Sequence, residues 1–139
     1  MLLHECKDKL NIGDIVYICD YRFNDIDNQP IRHIPPMKVV VCSNEDLPKN
    51  KRVYYSEVHF RPIGTNGKVQ SRIIAPFDNT GYRAYTGTSL NIFYDEQKSK
   101  DFYRTQCKEN IKRFNEAKVN KVAYYDKKIE EINKEMESL

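Results

Sequence analysis

The chain has no tryptophan and only five glycines and six prolines in 139 residues. It has no apolar run near the 18 residues of a membrane span, so a transmembrane segment is not expected. The opening MLLHECKDKL reaches Glu5 and Lys7 too early for a secretory apolar region, so the expected compartment is cytoplasmic. Cys6, Cys19, Cys42 and Cys107 form no C-x-x-C pair, and no histidine stands at a zinc-finger offset. The spacing thus argues against a metal centre, and a reducing compartment argues against disulfides. G-x-G-x-x-G, G-K-[ST], G-x-S-x-G and H-E-x-x-H are all missing. No cofactor and no catalytic activity are expected. The net charge of +3 suits neither a heavily basic nucleic-acid binder nor an acidic mimic of DNA.

What is abundant is aromatic: ten tyrosines and six phenylalanines. Such residues favour strands and recognition surfaces alike, since each buries a large area and tyrosine keeps a polar tip. A Gly13-Asp14 turn launches the run Ile15–Phe23, in which Ile15, Tyr17, Cys19, Tyr21 and Phe23 share one face. His33-Ile34-Pro35-Pro36 is expected to interrupt strand structure, because proline lacks the ladder N–H. Met37–Cys42 reads as a second strand and Arg52–Phe60 as a third. The Asn66-Gly67 turn then returns the chain along Lys68–Ile74. Tyr82–Tyr85 and Leu90–Phe93 complete about six short strands, a pattern that predicts a small antiparallel β-barrel or curled sheet.

Past Asp95 the sequence changes character. Residues 96–139 contain neither glycine nor proline. Val122, Tyr125, Ile129, Ile132, Met136 and Leu139 are spaced 3, 4, 3, 4 and 3, a heptad seam. The expected organisation is α+β, with a β-domain over 1–95 and a helical region over 96–139. That region is either one long helix or a helical hairpin. A stripe this narrow needs a cover, supplied by a hairpin partner or by a homo-oligomer.

Charge is unevenly placed. Positions 1–29 carry three basic and six acidic residues, whereas positions 30–83 carry nine basic and four acidic. The basic middle is interleaved with aromatics, as single-stranded nucleic acid requires: cations for phosphates and flat rings for bases. Arg52, Tyr54, Arg72, Tyr82, Arg83 and Tyr85 are the candidate binding residues. The segment 77–87 is either a binding loop, with Tyr82 and Tyr85 stacking and Arg83 holding an anion, or a plain connection. Glu57, His59 and Asp78 are the only group that suggests acid/base or metal chemistry, and the pattern is generic: a surface pair on a strand is the favoured reading of Glu57 and His59.

Gly13-Asp14-Ile15-Val16-Tyr17 resembles the opening strand of Src-homology-3-like and KOW-like barrels. In overall style (short, rich in Lys, Asn, Ile and Tyr, one β-domain plus a helix) the chain resembles accessory proteins of phages and mobile elements. That resemblance implies an anti-defence role. The leading expectation is a non-catalytic, inhibitory binding module that occupies a nucleic-acid, ribonucleoprotein or host-protein surface. An oligomeric nucleotide-binding receptor, clamping a nucleotide between Tyr82, Arg83 and Tyr85, is the first alternative. A metal-dependent nuclease is the second.

Overall fold

The computed structural model describes residues 10–23, 30–51, 57–76 and 90–139. Among these, four strands form one antiparallel sheet: β1 (Ile15–Phe23), β2 (Pro30–Ser43), β3 (Val58–Pro62) and β4 (Asn91–Phe93). Their order across the sheet is β3-β2-β1-β4. One helix follows, α1 (Glu96–Glu137).

The sheet is open, not the expected barrel, and the described residues supply fewer strands than the sequence suggested. Edges β3 and β4 are separated by the two long inner strands and do not meet. The returning segment Lys68–Ile74 is not a full strand. It touches β3 through single bridges, Phe60 to Ile74 and Ile63 to Val69. Its turn forms as expected: Gly67 has φ +78°, its N–H donates to the Gly64 carbonyl at 2.9 Å, and Asn66 Oδ1 accepts from the Lys68 N–H. The expected strand Tyr82–Tyr85 lies outside the described residues, as does 52–56 of the third strand.

The expected interruption at Pro35-Pro36 does not occur. β2 runs through both prolines. Ile18 pairs with Met37 and Asp20 with Ile34, so two prolines stand opposite the single residue Cys19. This is a bulge, where a missing N–H costs little. On its other side β2 pairs with β3 only over residues 39–43, so no ladder bond is asked of the prolines there. The bulge also resets the phase of β2. Before it His33 faces the same side as Tyr21; after it Lys38 and Val40 do.

One sheet face holds the apolar core: Val16, Ile18, Val39, Val41, Phe60, Ile74, Leu90 and Ile92, all buried. Pairs directly opposite one another, Val16 with Val39, Val41 with Phe60 and Ile18 with Ile92, build it. The other face receives the first half of α1.

The helix begins where Asp95 Oδ1 accepts from the Lys98 N–H at 3.0 Å, an ordinary N-cap. Ion pairs Lys100–Glu96 and Lys134–Glu130, each four residues apart, brace its exposed side. It is continuous, which removes the hairpin alternative. At 1.5 Å per residue it spans roughly 63 Å.

Candidate functional site

The helix-side face of the sheet divides into a covered half and an open half. The covered half is built from Cys19, Tyr21, His33 and Phe93. The Cys19 thiol donates to the Ser99 carbonyl at 3.6 Å, and the fully buried Ser99 lets helix and strand approach closely. Phe93 packs against Phe102 with centroids 5.4 Å apart. Further along, Asn110 Nδ2 donates to the Tyr21 carbonyl at 3.0 Å. His33 Nε2 and the Tyr103 hydroxyl are 2.7 Å apart, and the Tyr21 ring lies 4.3 Å from His33.

Burial governs the ionisation of this cluster. The Cys19 thiol is pushed up to about 12, first by desolvation and then by the Asp20 carboxylate. Tyr103 is also pushed up to about 12, by desolvation first and then by the Cys107 thiol it faces one helical turn on. A thiol held in this way is a poor nucleophile. The cluster clamps helix to sheet.

The open half lies toward β3. Tyr17 stands directly opposite Lys38, and Val40 stands between Ile15 and Arg61. Lys38 and Ile15 are exposed; Tyr17, Val40 and Arg61 are half-buried. Two cations, one tyrosine and two β-branched residues thus share one sheet surface that α1 and the other described elements leave uncovered. Lys68 and Arg72, both exposed, lie on the segment that returns along β3. Sequence reading placed Lys38 and Arg61 in the basic zone but did not single them out. Period-two alternation across three paired strands was the signal, and it needed the register to be read.

Of the six candidate residues, only Arg72 is described, and it is exposed. Arg52, Tyr54, Tyr82, Arg83 and Tyr85 lie outside the described residues.

The Glu57–His59 grouping does not form. Glu57 is exposed, while His59 is fully buried, so they are not a surface pair either. Among the described residues no hydrogen bond joins them; Glu57 uses its carbonyl to accept from the Asn44 N–H at 2.9 Å. Asp78 lies outside the described residues. The partner of His59 is a cation: Arg61 Nε donates to His59 Nε2 at 3.2 Å. That bond leaves the ring proton on Nδ1, which is buried without a hydrogen-bond partner. Desolvation, and next the Arg61 charge, hold this imidazole below its usual range. Cys42 stands directly opposite His59, and burial pushes its thiol up. Neither side chain is tuned as a nucleophile–base pair would be, because the thiolate is the disfavoured form. Among the described residues no three His, Cys, Asp or Glu side chains are grouped to hold a metal ion.

Beyond Ala117 every residue of α1 is exposed. The seam residues Val122, Tyr125, Ile129, Ile132 and Met136 are each 53–58 % accessible, and Leu139 is 101 %. Ile111, Phe114 and Val119 are exposed as well. No described helix is long and apolar enough to cross a membrane. The molecule therefore offers two surfaces, a basic strip on the open sheet half and an apolar seam on the projecting helix. Comparison with protein-family descriptions, curated sequences and solved structures finds no match to this chain.

Proposed function

We propose that this protein is a non-catalytic binding module whose basic, tyrosine-bearing sheet surface occupies a nucleic acid or the nucleic-acid face of a ribonucleoprotein. The observation that carries this reading is the open half-face, where Tyr17, Lys38 and Arg61 share one surface beside Ile15 and Val40. Cations at strand spacing meet successive phosphates, and a tyrosine ring offers a base a stacking platform. Lys68 and Arg72, exposed on the segment that returns along β3, are proposed to add to the positive charge nearby. Arg52, Tyr54, Tyr82, Arg83 and Tyr85 belong to the same basic, aromatic stretch of sequence and are proposed to extend it. In the phage-accessory reading the module acts by occupancy, denying that surface to a host partner.

The test is fluorescence anisotropy with labelled single-stranded DNA and RNA over a salt series. Binding should weaken with salt. Reversing Arg52, Arg72 and Arg83 together should lower affinity and flatten the log–log salt slope by about two units. Lys38→Glu alone should flatten it by roughly 0.7 units. Unchanged affinity and slope in both variants would remove the electrostatic account.

A further inference from the structure

The second half of α1 carries an apolar stripe with no described element beneath it. Residues 118–139 touch no other element closely enough to lose their exposure. A lone helix of this length is marginal in water, and a stripe of large apolar side chains makes it a binding surface. Extending the heptad register upstream places Lys108, Asn115, Val122, Ile129 and Met136 at one seam position. Ile111, Lys118, Tyr125, Ile132 and Leu139 take the other.

We propose that α1 pairs with α1 of a second copy of this chain, as a parallel, in-register two-stranded coiled coil. The inference stands apart from the nucleic-acid reading and does not depend on it. Three observations select this occupant and this orientation. First, one flanking pair is complementary between copies. In a parallel pair, Lys121 of one copy faces Asp126 of the other, twice per dimer. Within one chain neither of these two exposed residues makes an ion pair. Second, the same geometry sets Phe114 of one copy against Val119 of the other and brings the two Ile111 together. This covers Ile111 and Val119, both exposed in the single chain. A shallow groove over Ile111, Asn115 and Val119 already marks that stretch. Third, Asn115 is a single asparagine at the seam position where a paired Asn–Asn layer specifies two parallel strands in register.

An antiparallel pair that sets Val122 against Leu139 covers the six lower seam residues but leaves Ile111 and Val119 exposed. Two layers oppose the parallel pair, Lys108 against Lys108 and Lys118 against Lys118. The four-carbon stems carry each ammonium outward to water.

Sedimentation equilibrium of the full chain tests the proposal. A species of twice 16.5 kDa that dissociates on dilution is expected. Ile129→Asp should weaken it by more than about a hundredfold, since a charge enters the seam twice. Lys118→Leu should tighten it at least tenfold, because two like charges leave one layer. Asp126→Lys should weaken it by roughly threefold to tenfold, and adding Lys121→Asp should restore it. The double variant keeps the composition, so its recovery separates pairing from folding. A monomer at every concentration would overturn self-association. A trimer or larger assembly, or a Lys118→Leu variant with unchanged dissociation, would overturn the parallel dimer.

Discussion

The Tyr103 hydroxyl and His33 Nε2 stand 2.7 Å apart and tie the middle of the first half of α1 to β2, across 70 residues of sequence. With the Tyr21 ring against His33 and Asn110 donating to the Tyr21 carbonyl, this bond fixes the direction in which the helix leaves the sheet.

Tyr103→Phe should therefore cost about 1 kcal/mol in urea unfolding, the usual worth of one such bond. The alkaline arm is a sharper check. The folded phenol is raised from 10.0 to about 12, so its stabilisation is complete below 10 and is lost as pH rises toward 12. Stability of the native protein should fall more steeply over that window than stability of the phenylalanine variant. Parallel curves would separate Tyr103 from the alkaline response.

His59 should set part of the acid response. Its imidazole is buried, faces the Arg61 guanidinium, and is held below 6.5, with the more distant Asp46 acting in the opposite direction. A depressed base stabilises the fold fully above 6.5, and that contribution is lost as pH falls through the folded value. In His59→Phe, stability should decline less between neutrality and pH 5 than in the native protein. Equal slopes in chemical denaturation would contradict this.

The thiols should report the clamp. Cys42 and Cys107 are half-buried, whereas Cys19 is fully buried with its thiol pushed up to about 12. Peptide-resolved alkylation should label Cys42 and Cys107 in the native state, and Cys19 only once the helix lifts from the sheet. Early labelling of Cys19 would mean that α1 detaches readily.

Local chemistry made several elements legible. β1 announces itself by β-branched and aromatic alternation after Gly13-Asp14. α1 follows from Asp95 as a cap and from a glycine- and proline-free tail. The Asn66-Gly67 turn needs positive φ, and the sequence supplies the residue that takes it cheaply. What stayed hidden depends on partners far along the chain. Pro35 and Pro36 look like breakers until their neighbours are known; at a bulge, with no described strand on the other side, they fit. Lys68–Ile74 has strand-like composition yet makes only isolated bridges. His59 reads as half of a surface pair with Glu57, and its burial beside a cation appears only when β2 and β3 are paired. The open basic half-face is likewise a product of register, since Tyr17, Lys38 and Arg61 come from three strands.

The bulge has one more effect. Along residues 30–37 the outer side of β2 carries no described strand, which leaves a length of sheet edge where a foreign strand could dock. Such edges seed chain-to-chain zippering. Neither Pro35 nor Pro36 has an N–H to offer a docking strand, and the bulge kinks that stretch. The same two residues thus blunt an edge that a regular strand would leave open to pairing.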